Sequence, residues 1–323
     1  MQAISITLQP LSAFGTPLIG DTLFGQLCWA IHNRYGVERL TELLEGYTEQ
    51  QPFLIASDAF PAGYLPKPSL PANFFTKIEM AERKKIKKQI WMPVSELQQA
   101  VYDWINHCKT TADISPDATA QWQEKRLQPH NSINRMTGTT GEMGDDSFAP
   151  YGMTQTWYQH NTELQCHFLL DETRFSQQEL QDCLTDIGNF GFGRDATIGL
   201  GKFIVNEGIA SDWKTHPQAN ALMTLSPIAP QGLGYNAATS YYQLFTRFGR
   251  HGDTGVHKGN PFKNPILMAD TGAVFQQNTD KLFLGQGLGA KKQPISLSIP
   301  ETVQQAYAAV IPIYINSKGE NNT

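Results

Sequence analysis

Residues Ala3–Gln9 alternate, with Ile4, Ile6 and Leu8 on one side and Ser5, Thr7 and Gln9 on the other. Period-two alternation predicts a strand with one buried face. A Pro- and Gly-rich loop, Pro10–Gly20, follows, and then the period changes. Asp21 stands where an N-cap belongs, and Leu23, Phe24, Leu27, Cys28 and Ile31 form an apolar stripe that predicts a helix closed by Gly36. Ser57–Asn73, with Pro61, Pro66, Pro68 and Pro71, reads as a loop. Ser95–Cys108 carries Leu97, Val101, Trp104 and Ile105 at helical spacing. Thr154–Gln159 and Leu164–Leu170 read as two strands joined by His160, Asn161 and Thr162. Ser176 and Glu179 make a capping box for a helix over Ser176–Ile187, and Lys202–Val205 reads as a strand.

The first 208 residues therefore read strand, helix, insertions, strand pair, helix, strand. That is a β-α-β-β-α-β order, ferredoxin-like or RRM-like. After Asn206 strands recur at Ala221–Leu225, Ser240–Phe248, Ala273–Gln276, Leu282–Leu284 and Ala308–Ile315, with Pro312 either weakening the last or placing it at an edge. The fold class expected is α+β: two ferredoxin-like (RRM-like) modules, 1–208 and 209–315, with long insertions. The tail 316–323 reads as flexible.

Between the second helix and its strand lies GNFGFGRDATIGLGKF, Gly188–Phe203, with Gly188, Gly191, Gly193, Gly199 and Gly201. Glycine at this density serves positive φ or close backbone approach. Gly191, Gly193 and Ala196 fit a dinucleotide fingerprint, but that loop must follow a strand and open a helix, and here the order is reversed. No phosphate-binding G-x-x-x-x-G-K-[ST] is present either. Arg194, Thr197 and Lys202 could instead meet phosphates from within the loop.

The chain has 323 residues, is 40% hydrophobic and 17% charged, and carries a net charge of −5. A wholly basic binding surface is excluded, so any nucleic-acid contact must be local. Two places qualify. Lys77–Lys88 holds Lys77, Arg83, Lys84, Lys85, Lys87 and Lys88, which read as phosphate ligands or as a solvated helix face. The loop from Gly249 to Met268 holds Arg250, His251, His257, Lys258 and Lys263. Between them, Thr110–Phe148 is long and polar, with His130, Asn131, Ser132, Asn134, Arg135, Thr137, Thr139 and Thr140 in one run. Arg135 can fork onto phosphate or stack on a base. His130 could serve as a ribonuclease base or as a simple polar contact. The four cysteines are far apart and read as buried reduced thiols, with no zinc site spelled out. No metal or other cofactor is expected. The N-terminal residues show no signal peptide and no run spans a membrane, so a cytoplasmic protein without a membrane partner is expected.

GFGRDATIGLGKF resembles the glycine-rich loop of the RAMP superfamily, the RNA-binding proteins of CRISPR effector complexes. GDTLFGQLCWAI, QPHNSINRMTGTTGE, PFKNPILMADTGAVF, GQGLGA and YAAVIP resemble segments of the fourth Csm subunit group of type III-A complexes, which is similar to the Cas-five group. Ala290 departs from the glycine usual in that family. The resemblance runs from Ile4 to about Ile315. It implies a non-catalytic subunit that holds the repeat-derived 5′ tag of the crRNA. It also implies contact with the large polymerase-cyclase Csm subunit and the repeating backbone Csm subunit. The RNA-binding candidates are then Lys84, Lys85, Lys87, Lys88, His130, Asn131, Arg135, Thr137, Thr139, Gly191, Gly193, Arg194, Thr197, Gly199, Gly201, Lys202, Arg250, Lys258 and Lys263. The alternatives are a metal-independent endoribonuclease that processes crRNA, with His130 and a lysine as its acid–base pair, and a protein-only scaffold.

Overall fold

The computed structural model describes residues 1–76, 82–117, 121–131, 133, 150–211 and 213–316, without the side chains of residues 83 and 85. The tail from residue 317 onward, with Lys77, Ser132, Arg135, Thr137, Thr139 and Thr140, lies outside the described residues. The N-terminal half begins β1 (Gln2–Pro10), α1 (Gly20–Tyr35), α2 (Val37–Leu44) and β2 (Leu54–Pro61). An insertion follows, with β3 (Tyr64–Pro66), α3 (Arg83–Lys88), β4 (Gln89–Pro93), α4 (Val101–Trp104) and β5 (Lys109–Thr110). A hairpin, β6 (Gln123–His130) and β7 (Tyr151–Tyr158), precedes β8 (Leu164–Leu170), α5 (Gln177–Phe190), β9 (Phe203–Val205) and β10 (Ile209–Ala210).

The main sheet runs β2–β8–β1, with β9 and β10 in succession along the far edge of β1, all antiparallel. Ile4 faces Phe168, Ile6 faces Cys166 and Leu8 faces Leu164 across β1 and β8, and all six are buried. This is the β-α-β-β-α-β order, but its second strand is not the expected one. Leu54–Pro61 takes that place, running into the start of the Ser57–Asn73 stretch read as loop, while Thr154–Gln159 belongs to β7 and pairs with β6. Phe53, Leu54, Ile55 and Ala56 are all fully buried, so that strand has no alternation to betray it. The capping box of α5 forms as the sequence predicts: Ser176 Oγ accepts from Glu179 N–H, and the Glu179 carboxylate accepts from Ser176 N–H.

The C-terminal half contains β11 (Ala221–Thr224), β12 (Ser240–Tyr241), β13 (Leu244–Arg247), β14 (Ile266–Ala269), β15 (Val274–Phe275), β16 (Phe283–Gly289) and β17 (Val303–Ile313). Its sheet runs β12–β15–β11–β17–β16, and no α-helix occurs among the described residues from 213 to 316. This departs from the ferredoxin-like order expected there. The sheet instead packs β17 against α1 of the first half. Tyr47 lies between the halves, its ring packed on Phe24, Phe53 and Tyr307, and Tyr307 Oη donates to Tyr47 O at 2.7 Å. β17 is an inner strand, not an edge. Pro312 is tolerated because β16 pairs only as far as Ala309, leaving Pro312 without a neighbour on that side.

Asp21 is not a cap. Ile19 holds the N-cap position of α1, and the Asp21 side chain is 2% exposed. It accepts from Arg247 Nε at 2.7 Å and from the second Arg247 nitrogen at 3.0 Å. Gln304 Nε2 approaches the same carboxylate at 3.3 Å. Capping falls to Asp58, in a bulge of β2 between Ala56 and Ala59. Asp58 accepts from Gly20 N–H at 2.8 Å and from Thr271 Oγ1 at 2.6 Å, and so also joins the halves. Gly20 allows this approach, since a Cβ there would lie 2.3 Å from Ala56 O.

Removing one partner of a buried ion pair leaves the other charge uncompensated. Arg247→Ala should therefore cost about 3 kcal/mol in a urea melt, and a loss below about 1 kcal/mol would contradict this role. Burial raises the Asp58 carboxyl to about 7, against roughly 4 for an unfolded Asp. Between those values the native state keeps a proton that the unfolded chain releases, so the stability this site adds at low pH is lost as pH rises through about 7. Asp58→Asn should flatten the melting temperature between about pH 4 and 8 and raise it above wild type at the upper end. An unchanged slope would show that Asp58 does not titrate there.

Candidate nucleic-acid interface

The glycine loop folds back on itself beside the Pro10–Gly20 loop. Gly191 closes α5 with φ 110° and donates to Ile187 O at 2.7 Å. Phe192 N–H donates to Gly201 O, Gly201 N–H to Ala13 O, and Lys202 N–H to Ser12 Oγ, at 2.7–2.9 Å. A Cβ at Gly191 would lie 2.3 Å from Leu200 O, and one at Gly201 would lie 2.2 Å from Phe192 O. One at Gly193 would lie 2.6 Å from Thr16 Cβ. These three glycines serve the chain's own packing. Gly199 differs: φ is 96°, and nothing lies within 4 Å of its Cβ position. Thr197 and Ile198 beside it are exposed. The N–H groups of Asp195, Ala196 and Thr197 lack an acceptor among the described residues. The outward-facing part of the loop is thus Asp195–Gly199.

Arg194 ties this loop to the hairpin. Its guanidinium donates to Thr154 O in β7 at 2.7 Å and pairs with Asp195 at 3.3 Å, and its N–H donates to Thr16 Oγ1 at 2.9 Å. Lys202 is half-buried just ahead of β9. The hairpin base is fixed by the Phe14–Thr156 backbone bridge and by Phe14 against Tyr158 at 5.6 Å. An aromatic row continues from Tyr158 to Trp122 to Trp91, and so reaches the insertion that carries α3. Lys84, Lys87 and Lys88 are exposed on α3, and Lys85 belongs to the same helix. His130 stacks on Tyr151 with centroids 5.4 Å apart, and Asn131 is exposed beside it.

Three groups on this hairpin escape a sequence reading. Lys125 and Arg126 are exposed on β6, and Arg126 sits 5.4 Å over the ring of Trp157 on β7. QEKRLQPH has no apolar alternation, because both faces of the hairpin are largely exposed. Its strand character comes only from pairing with β7.

The C-terminal basic residues divide. Arg250 and Lys258 are exposed, with Arg250 5.9 Å from the Phe262 ring centroid. Lys263 turns inward, where burial lowers its pKa against the opposing pull of Cys28 and Asp21 of α1.

No protein-family model and no curated protein matches the chain. Solved structures place its fold. It is an α+β fold found in subunits of CRISPR effector assemblies. The chain is similar to one in the Csm3–Csm4 subcomplex of the type III-A CRISPR-Cas interference complex, with TM-score 0.62 and 17% identity over 96% of this chain and 99% of that one. It is also similar to one in the Csm1–Csm4 cassette in complex with cA4, with TM-score 0.59 and 15% identity over 98% of each chain. The cassette bound to AMPPNP gives the same values. Csm4 is the subunit common to these assemblies, and the fold is that of the Csm4 chains over nearly their full length.

The glycines should separate by stability. Gly199→Ala adds only the cost of positive φ, about 1–2 kcal/mol. Gly191→Ala and Gly201→Ala also drive a Cβ into backbone oxygen, so both should melt well below Gly199→Ala. Equal melting temperatures would mean that the loop does not fold back on itself.

Proposed function

We propose that this chain is a non-catalytic, RNA-holding subunit of a type III-A CRISPR effector complex and acts at the position of Csm4. What carries the reading is a Csm4 fold over nearly the whole chain, combined with a glycine loop whose outward part offers backbone N–H groups that meet no acceptor among the described residues. Consecutive N–H groups around a left-handed residue form an anion-binding nest, and Asp195 has φ 64°. The loop, with Arg194, Thr197, Gly199 and Lys202, would hold phosphates of the crRNA 5′ tag. Gly191, Gly193 and Gly201 would shape it. The hairpin with His130, Asn131, Arg135, Thr137 and Thr139, the lysines of α3, and Arg250 and Lys258 would add contacts along the strand, while Lys263 would support them from behind.

The partners would be the large polymerase-cyclase subunit, Csm1, and the repeating backbone subunit, Csm3, by analogy with the two kinds of assembly that contain the similar chains. A cytoplasmic location and a division into two ferredoxin-derived halves near residue 208 belong to the same reading. The second half would then be a variant that borrows α1.

Binding of a labelled crRNA with its 5′ tag, measured against salt, tests this. Lys84, Lys85, Lys87 and Lys88 replaced together by Ala should reduce the slope of log K against log salt by roughly 0.7 for each phosphate no longer neutralised. The weakening should be uniform across RNA sequences. The RNA should be recovered intact. An unchanged slope would assign these lysines to solvent, and cleavage abolished by His130→Ala would establish a nuclease instead.

A further inference from the structure

The ribbon formed by β13 and β14 continues beyond the paired strands: His251 N–H donates to Pro261 O at 2.8 Å and Lys263 N–H to Gly249 O at 2.9 Å. Its two faces are opposite in character. Phe245, Arg247, His251 and Lys263 turn inward, where Arg247 binds Asp21 and His251 Nε2 lies 2.8 Å from Ser296 Oγ. Leu244, Thr246, Phe248 and Arg250 alternate outward, joined across the ribbon by Phe262 and Leu267. Phe248 is 73% exposed and Phe262 is 60% exposed. An apolar face left open on a ribbon so firmly anchored calls for an occupant.

Charge and ring chemistry identify it. On its outer side the stretch from Leu244 to Lys263 carries Arg250 and Lys258 against a single carboxylate, Asp253, in a protein of net charge −5. Asp253 is itself engaged by Asn33 Nδ2 at 2.9 Å. Arg250 already lies over Phe262, 5.9 Å from its centroid, leaving Phe248 two residues along the strand, about 7 Å away. Flat exposed rings spaced along a cationic ribbon suit unpaired nucleobases, which stack on any aromatic face while the cations meet the phosphates.

We infer that Phe248 and Phe262 form a base-stacking platform for single-stranded RNA, sequence-tolerant and separate from the glycine loop. The inference rests on the RNA-holding role proposed above, and the test separates the two. The full chain is titrated with a fluorescent single-stranded RNA about 10 nucleotides long and with an abasic RNA of equal length and charge. Wild type should prefer the base-bearing strand. Phe248→Leu with Phe262→Leu should keep the melting temperature, since both rings are exposed. The same pair should lose that preference and bind the base-bearing strand about tenfold more weakly, toward the lower end of what stacking contributes. Phe248→Tyr with Phe262→Tyr should bind as wild type does. If the leucine variant retains wild-type affinity and preference, the platform is refuted while RNA binding stands, and the face then belongs to a protein partner. If wild type binds neither RNA, both readings fall.

Discussion

The buried carboxylate of Asp21 sets the geometry on which the rest of the molecule depends. It stands in the first turn of α1, the helix both sheets use, and its partner comes from the far half of the chain. A carboxylate 2% exposed has lost its water and needs hydrogen-bond donors from the protein instead. The two nitrogens of Arg247 and the amide of Gln304 supply them. β13 and β17 are thereby locked to the start of α1. Asp58, bound to both Gly20 and Thr271, repeats the connection one strand away. Two acidic residues thus join the halves where a helix begins, so the halves share a core instead of sitting side by side.

This junction explains how the candidate interface can be assembled from distant segments. The glycine loop needs α5 to deliver it and β1 to receive it. The Pro10–Gly20 loop that leads into α1 supplies Ser12, Ala13 and Thr16 as its supports. Phe14, from the same loop, carries the hairpin. Anything that shifts the start of α1 would move these supports together. The glycine loop is therefore held to the same frame as the C-terminal ribbon, although the two come from different halves of the chain.

Periodicity and local chemistry make part of this legible. Strand β1, the α1 stripe, β8, the capping box at Ser176 and the order helix, glycine loop, strand can all be read because each rests on contacts near in sequence. β2 cannot: it is buried on both faces and ends in Pro61, so its pattern is that of any apolar run. Asp21 reads wrongly as a cap because an acid at a helix start has two physical uses, and only the position of Arg247, more than two hundred residues away, decides between them. The second half, without an α-helix among its described residues, escapes for the same reason. Its strands are legible singly, but that they share α1 is a fact of packing. Within the candidate interface, glycine density marks the loop, while the division between Gly199 and its packed neighbours depends on how the loop folds Leu200 and Phe192 back on itself and on Thr16 from the facing loop.

The ribbon carries the same logic to the surface. Alternation ordinarily places apolar side chains inside and charged ones outside. Here Arg247, His251 and Lys263 point in, while Leu244, Phe248 and Phe262 point out. An inward arginine is tolerable only because Asp21 is buried to meet it, and an outward phenylalanine is not a packing requirement at all. The reversal therefore has two causes that act independently. The inward charge fixes the ribbon to α1, and the outward rings are left for something other than this chain. On the reading proposed above, such an arrangement lets π-faces attract bases without adding net positive charge, so contact with RNA would not require a wholly basic surface.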